Sequence, residues 1–303
     1  MISSYRGKNF KILFDPTEKK YSIRPQELPT PPGWTETAYA GSIDTCLHFV
    51  DQKTKEYEAQ RSYDKTKKIY ITLSLFLRLT QFLNQIIWFS MGGKEKRPAF
   101  YDLKKDYPEL QILDNHVNDI KKELDDLMSM NLELPKYHEA DPFQQRISEY
   151  TCSSWRVFYL YVFGEKPADN REKCPITTAL LDKIPDIQEA FFSILSPGKC
   201  IPPHYGPYAG IVRYHLALTV PKDQPPSIRL HDQLYTWEEG KSVMFDDTWN
   251  HEVLNESKEK RIVLFIDIKR KLKFPFNILN SFALNVLGSN YGKTIRKTLQ
   301  WNR

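Results

Sequence analysis

Residues 193–267 read SILSPGKCIPPHYGPYAGIVRYHLALTVPKDQPPSIRLHDQLYTWEEGKSVMFDDTWNHEVLNESKEKRIVLFID, and this stretch decides the fold. Short runs rich in β-branched and aromatic residues alternate here with turns of Pro, Gly, Asn and Asp, and a further run of this kind, AFFSIL, overlaps its start. Several short strands at this spacing indicate an all-β sandwich or a small barrel. The chain is therefore predicted to be mainly β around this stretch.

Two histidines of the stretch lie beside turns, His204 in PPHYGP and His251 in FDDTWNHEV, and Arg261 follows at the start of the apolar run IVLFIDI. Imidazole suits Fe(II), and a metal with only two or three protein ligands keeps positions free for a chelating cosubstrate and oxygen. An arginine binds a carboxylate through a two-pronged, charge-assisted contact. These residues predict an iron-dependent oxygenase site in which His204 and His251 bind the metal and Arg261 holds the far carboxylate of a cosubstrate.

The strand IVRYHLALTV carries a polar pair on one face. Arg213 and His215 share that face because side chains alternate along a strand. Inside a barrel the pair would form a carboxylate site, whereas on a solvent-facing edge strand it would be ordinary surface. In the last strand Arg261 shares its face with Val263 and Phe265, which predicts a buried and paired charge.

The third metal ligand is the open question at this site. Many iron oxygenases take it from an Asp or Glu two residues after the first histidine, and that position is Gly206 here. Either water fills the third place, with Asp247 orienting it from the second coordination sphere, or Asp246 or Asp247 contributes a carboxylate. We favour water.

The composition narrows the class of protein. At 303 residues, with 41% hydrophobic and 13% aromatic residues, the chain can bury a sizeable core. A formal charge of only +5 does not indicate nucleic-acid binding. The four cysteines lie far apart without a CxxC pair, and the N-terminal residues lack a signal-like apolar run, so we expect a cytoplasmic protein without disulfides.

The flanks of the chain contain no recognisable catalytic residues. Residues 1–65 are polar and are expected to form an N-terminal extension, and residues 66–93 an apolar, amphipathic helix. The run at 69–91 is long enough to span a bilayer but has Arg78 near its centre, so it could pack on the protein, lie in the membrane interface or span. The tail 272–303 is basic and amphipathic, which leaves peripheral membrane contact through 69–91 and 272–303 open.

Helical periodicity appears twice more before the β-rich region. The spacing of apolar residues predicts a packing helix within 108–128 and another helix over 176–189. A strand is predicted at 155–163, where the sequence is WRVFYLYVF. None of these elements carries an obvious metal ligand.

From Arg97 to Arg270 the chain resembles the aspartyl/asparaginyl β-hydroxylase family of Fe(II)/2-oxoglutarate dioxygenases, which includes bacterial lipid A and ornithine-lipid acyl-chain hydroxylases. The resemblance rests on pieces in the family's order: RPAFYD with PEL, CPITTALLDKIP, AFFSILSPGKCIPPHYGPYAG, VRYHLALTVP, WEEGKSVMFDDTWNHEV and RIVLFIDI. It implies a double-stranded β-helix core (jelly roll, cupin-like) with flanking helices, forming a dioxygenase domain over 97–271.

The resemblance also implies roles for individual residues. His204 and His251 would bind Fe(II), Ser193 and Arg261 would hold the distal carboxylate of 2-oxoglutarate, and Arg213 with His215 would lie near its metal-chelating end. The expected reaction uses O2 to hydroxylate an aliphatic C–H bond while 2-oxoglutarate is decarboxylated to succinate.

The substrate is left between two classes. The lipid A hydroxylases carry an acid at the position of Gly206, and the peptide hydroxylases lack it, but PYAG followed by RYHL is closer to the lipid-modifying branch. A lipid acyl chain is therefore expected ahead of a protein Asp or Asn side chain. A catalytically silent, cupin-like scaffold remains as the non-enzymatic alternative.

Overall fold

The structure is a computed structural model, and it describes residues 9–17, 20–60, 78–151 and 153–300. The chain divides into two compact units. The first comprises residues 1–77 with 149–152, and the second comprises 78–148 with 153–303. Part of the predicted apolar helix, residues 66–77, lies outside the described residues.

The first unit is a small α/β fold. Its strands β1 (Phe10–Asp15), β2 (Lys20–Pro25) and β3 (Thr35–Gly41) form an antiparallel sheet in the order β2-β1-β3, and helix α1 (Ile43–Gln60) follows. Phe10, Ile12, Ile23 and Cys46 are its buried core. The polar composition of residues 1–65 gave no sign of this core, because so few side chains build it.

Most helices of the second unit come before its first strand or after its last one in the sequence, and two lie between its first two strands. They are α2 (78–90), α3 (Leu103–Asp106), α4 (Gln111–Asn115), α5 (Val117–Ser129), α6 (Tyr137–Ala140), α7 (Gln145–Ser148), α8 (Ala168–Glu172), α9 (Pro175–Leu181), α10 (Phe276–Ala283) and α11 (Ser289–Thr298), with a π-helix at Leu284–Gly288. Short 3-10 turns occupy Lys94–Lys96, Pro108–Leu110 and Pro142–Gln144. Within the described residues no helix has the length and apolarity needed to cross a membrane.

In the part of the second unit that the structure describes, nine strands form two antiparallel sheets. The strands are β4 (Trp155–Val162), β5 (Ile187–Leu195), β6 (Ile201–His204), β7 (Ile211–Thr219), β8 (Ser227–Leu230), β9 (Gln233–Thr236), β10 (Ser242–Phe245), β11 (His251–Leu254) and β12 (Arg261–Lys269). The larger sheet has the order β10-β7-β12-β5-β4 and the smaller one β6-β11-β8-β9. From β5 to β8 and again from β9 to β12, consecutive strands alternate between the two sheets, which is the jelly roll that the sequence predicted.

Along each strand of the larger sheet, successive side chains point to opposite faces and so join two different cores. Val263 and Phe265 of β12 belong to a core that also contains Ile228 and Val253 of the smaller sheet, so the two sheets pack face to face. The alternate residues of β12, such as Leu264, join the core formed with the outer helices α5 and α9. The polar residues of β12, β7 and β5 that face the smaller sheet are consequently held inside the jelly roll.

One predicted helix is shorter than expected. The helix predicted over 176–189 ends at Leu181, and residues from Ile187 onward already belong to β5. The apolar spacing at 180, 181, 184 and 187 fits a helix, but all four side chains pack in one core from helix, turn and strand in succession. The packing helix within 108–128 is confirmed as α4 and α5, with a break at His116.

Candidate metal and cosubstrate site

His204 and His251 lie side by side on neighbouring strands of the smaller sheet. His204 ends β6, His251 begins β11, and the two residues are direct partners in the antiparallel ladder. Their ring centroids are 4.0 Å apart. The sequence placed these histidines 47 positions apart, and the strand pairing brings them together.

Both imidazoles are held through the same ring nitrogen. The Nδ1 of His204 lies 2.8 Å from the carbonyl oxygen of Pro202, and the Nδ1 of His251 lies 2.9 Å from that of Trp249. Since a carbonyl oxygen only accepts, each Nδ1–H donates and each Nε2 keeps its lone pair. Burial lowers the pKa of His204 to about 4 and that of His251 well below its ordinary value. At neutral pH both rings are therefore neutral and suited to bind a metal ion.

Asp247 occupies the space that a side chain at position 206 would need. The Gly206 N–H donates to the Asp247 carbonyl over 2.8 Å, and a Cβ placed on Gly206 would overlap the Asp247 carboxylate, with Oδ1 only 2.5 Å away. The missing acid at position 206 is thus matched by an acid from the loop before His251. Burial raises the pKa of Asp247 to about 7, although the nearby Arg213 opposes that rise.

Arg213 is already engaged by two carboxylates. Its Nε and Nη2 donate to the two oxygens of Asp267 over 2.8 and 2.9 Å, and Nη2 lies 3.0 Å from Asp247 Oδ2. Its guanidinium also stacks over Phe265, with 4.3 Å from Cζ to the ring centroid. Arg213 and His215 share one face of β7, as their spacing predicted, and β7 lies between β10 and β12 rather than at the edge of the sheet. In this arrangement the contacts of Arg213 hold Asp247 rather than leave an open carboxylate site.

Asp246 has a different set of partners. Its carboxylate is buried, lies 3.2 Å from Arg97 Nε and 2.8 Å from Arg270 Nη2, and accepts from the Thr248 N–H and hydroxyl. These contacts leave Asp247 as the better-placed of the two acids to act at the histidines. Within the described parts of the chain, no cluster of three or more His, Cys, Asp and Glu side chains is arranged as a ligand set.

Arg261 is a buried cation without an acidic partner. Its side chain is 1% exposed, its Nε and Nη1 have no hydrogen-bond partner, and its Cζ lies 4.4 Å from the Trp237 ring centroid. Burial lowers its pKa to about 9, so it remains charged at neutral pH. The sequence predicted a buried and paired charge. The charge is buried, but none of the residues that the structure describes supplies an acidic partner, and such a group favours an anionic ligand.

His215 and Ser193 lie on the same interior face of the larger sheet as Arg261. Both ring nitrogens of His215 are buried without a hydrogen-bond partner, and the ring lies between Trp237 and Phe265, with centroids 5.9 and 5.0 Å away. The Ser193 hydroxyl accepts from Trp155 Nε1 over 2.9 Å and keeps its own proton to donate. Together they supply polar groups beside an uncompensated positive charge.

Two tryptophans of this site had no signal in the sequence. Trp155 orients the Ser193 hydroxyl, and Trp237 lies under Arg261 with its own Nε1 buried and unpartnered. Trp155 was assigned to a strand, but nothing marked its side chain as different from its neighbours. Trp237 follows β9 in a turn, where no periodicity indicates which way a side chain points.

The fold and the site together define a jelly-roll protein with a two-histidine candidate metal centre and, separate from it, a buried arginine. A family model described as aspartyl/asparaginyl beta-hydroxylase matches residues 114–271, just over half of the chain. The chain belongs to that family. A second model, of MbtH-like proteins, matches residues 5–65, which fall within the first unit.

Individual relatives agree with this assignment. The chain is 37% identical over 190 residues to an ornithine lipid ester-linked acyl 2-hydroxylase of Rhizobium tropici, covering 62% of this chain and 63% of the relative. It is 34% identical over 119 residues to human aspartyl/asparaginyl beta-hydroxylase, covering 38% of this chain but 16% of the relative. The chain thus spans less than two thirds of either protein. A solved prolyl-4-hydroxylase of Pseudomonas putida aligns with a TM-score of 0.36 at 16% identity, over 51% of this chain and 88% of that one.

Proposed function

We propose that this protein is an Fe(II)- and 2-oxoglutarate-dependent dioxygenase that hydroxylates an aliphatic C–H bond, with a lipid acyl chain as substrate. The observation that carries the proposal is Arg261, a buried cation to which the described residues give no acidic partner, in the same fold interior as the neutral pair His204 and His251. A dicarboxylate cosubstrate would match both ends of this site. The acyl-chain substrate is supported by the similarity to the Rhizobium tropici acyl 2-hydroxylase.

The residues fit the metal and the cosubstrate by their chemistry. His204 and His251 would hold Fe(II) through Nε2, since each Nδ1 is committed to a backbone carbonyl. Bound iron would supply the activation of oxygen and of the C–H bond. Asp247, fixed by Arg213, would orient a water at the metal by accepting its proton in a hydrogen bond.

The cosubstrate would lie along the inner face of the larger sheet. Arg261 would bind its distal carboxylate, and the Ser193 hydroxyl, oriented by Trp155, would donate to the same group. His215 would offer a ring N–H nearer to the metal. The aromatic walls formed by Phe245, Phe265 and Trp237 would keep bulk water out.

The test is 2-oxoglutarate turnover after anaerobic loading with Fe(II). We expect succinate to form in air, to increase with a lipid extract, and to vanish in His251→Ala. His116→Ala is the matched control, because the Nδ1 of His116 contacts the Ile112 carbonyl in the outer helices. If peptide pools instead of lipid increased succinate formation, the substrate would be an Asp or Asn side chain. If neither Fe(II) nor 2-oxoglutarate bound, the silent scaffold would be correct.

A further inference from the structure

Two helices of the second unit pack together next to the candidate site. Leu83 and Ile87 of α2 share a buried core with Ala283 and Leu284 at the end of α10 and the start of the π-helix. This core also contains Tyr208 and Ala209, from the loop that follows His204. The inner faces of both helices are therefore buried in this shared core.

The outer faces of the same helices are apolar and exposed. On α2 these side chains are Leu79, Phe82 and Phe89, the last 77% exposed. In and around α10 they are Phe274, Ile278, Phe282 and Val286, spaced four apart, with Phe274 78% exposed. These two short segments hold half of the exposed large hydrophobic side chains of the described chain. Exposed apolar side chains concentrated in this way mark an interaction surface.

The segments that carry these faces are rich in basic residues. Four of those residues, Lys269, Arg270, Lys271 and Arg296, pair with acids of other elements. From Lys269 to Arg303 the sequence contains eight Lys and Arg and no Asp or Glu. Lys94 and Lys96, just after α2, and Lys273 and Lys293, on either side of the π-helix, are exposed. Phenylalanine and leucine on a helix face with a basic surround suit the boundary between anionic headgroups and acyl chains.

These helices also hold the loop beside the first histidine. The Asn84 side chain of α2 donates to the Pro207 carbonyl over 3.0 Å and accepts from the Ala209 N–H over 2.7 Å. Asn280 of α10 donates to the Gly210 carbonyl over 2.8 Å and accepts from the Tyr208 hydroxyl over 2.9 Å. The loop between His204 and β7 is therefore attached to the two helices whose outer faces are apolar.

We propose that the outer faces of α2 and α10 dock on the surface of an anionic lipid bilayer. Basic residues, with Glu95 as the one acid in residues 78–98 and none from 269 onward, select an anionic partner, and the aromatic side chains select an apolar one. A bilayer with anionic headgroups offers both. Docking would place the loop after His204 close to the membrane, so that an acyl chain reaches the site without crossing water. This delivery rests on the proposed function, whereas the docking does not.

The experiment is co-sedimentation of the full chain with phosphatidylcholine vesicles and with vesicles containing added phosphatidylglycerol. We expect binding only to the anionic vesicles, weakened by salt, and at least about tenfold weaker in Phe89→Asp/Phe282→Asp. Ile176→Asp/Leu234→Asp is the matched control, because it places the same charges on apolar residues that are exposed elsewhere. Lys273→Gln/Lys293→Gln should weaken binding without changing the apolar faces.

Folding and chemistry are tested separately from docking. The Phe89→Asp/Phe282→Asp variant should keep the wild-type melting temperature and bind 2-oxoglutarate and metal as before. If vesicle binding survives while succinate formation fails, docking stands and the proposed function falls. Wild-type protein that ignores anionic vesicles would overturn the docking proposal. So would equal binding by the double variant and its control, or a dimer that the double variant alone abolishes.

Discussion

Gly206 and Asp247 compete for one space beside the histidines. The backbone at position 206 leaves no room for a Cβ because the Asp247 carboxylate is already there. Of the two acids before His251, only Asp247 touches Arg213, which fixes its carboxylate from the other side. One carboxylate, and not two, can therefore occupy this corner of the site.

Gly206→Asp alone should disrupt the site. The new side chain overlaps Asp247 and brings a second negative charge into a buried space, so we expect Fe(II) affinity to fall by at least about tenfold. Gly206→Asp/Asp247→Gly should recover it, because the carboxylate is then supplied from the other strand end. Isothermal titration under anaerobic conditions measures both, with Asp247→Gly as the control. Tight metal binding by Gly206→Asp alone would contradict the overlap.

Arg261 should cost the ligand-free protein stability. A buried cation without a counterion carries a desolvation penalty of several kcal/mol, which the contact with Trp237 offsets by about 1–2 kcal/mol. Arg261→Met should therefore increase the free energy of unfolding of the ligand-free protein by about 1–3 kcal/mol, and its melting temperature should rise accordingly. The same variant should lose the stabilisation that 2-oxoglutarate gives to the metal-loaded wild type.

Thermal melts with and without 2-oxoglutarate check this pair of effects. Arg261→Lys serves as the comparison, since it keeps the charge and loses the two-pronged contact. We expect it to retain a small part of the ligand-induced shift. A lower melting temperature for ligand-free Arg261→Met would show that the guanidinium has a structural partner.

At the scale of residues, local sequence patterns indicated which polar side chains share a strand face, but not which residues they contact. The alternation in β7 correctly placed Arg213 and His215 on one common face, and the pattern of β12 correctly predicted that Arg261 is buried. The pairing of Arg213 with Asp267 joins residues 54 positions apart, and no local spacing encodes it. For the same reason the contact between Gly206 and Asp247 emerged only when the strands were assembled.

At the scale of elements, α2 positions the loop after His204 through one side chain. Asn84→Ala would leave the Pro207 carbonyl and the Ala209 N–H without their partner. We expect a loss of about 1–3 kcal/mol in stability and a lower turnover, because the loop next to His204 becomes less ordered. Gln85→Ala, on an exposed position of the same helix, is the matched control.

Thermal unfolding and succinate formation measure the effect of Asn84→Ala. A protein with the control's stability and turnover would mean that the loop is held by Asn280 alone. The elements of the second unit were largely predictable, since strand and helix periods are local properties. The helix over 176–189 was the exception, because one apolar core is lined in turn by a helix, a turn and a strand.

At the scale of the whole molecule, each unit has its own buried core, and every candidate site residue belongs to the second. We therefore expect two transitions in differential scanning calorimetry. Metal together with 2-oxoglutarate should raise the transition temperature of the second unit and leave that of the first unit unchanged, because a ligand stabilises only the unit that it binds. A single transition that shifts as a whole would contradict independent unfolding of the two units.

Prediction from sequence reached the jelly roll but not the first unit. The β-rich stretch and the family resemblance both lie in the second unit, where many apolar residues signal a core. The core of the first unit is small and its sequence is polar, so its three strands and helix gave no comparable signal. The attachment of α2 to the site loop joins residues more than a hundred positions apart and likewise required the assembled fold.

The crowding at Gly206 also constrains how this lineage can evolve. A descendant that gained an acid two residues after His204 would first meet the Asp247 carboxylate, and one that lost Asp247 first would pass through a form with no acid in this corner. We therefore expect neither single step to improve the site. The glycine and the aspartate thus preserve each other, and relatives that carry the acid at the first position should carry a smaller residue at the second.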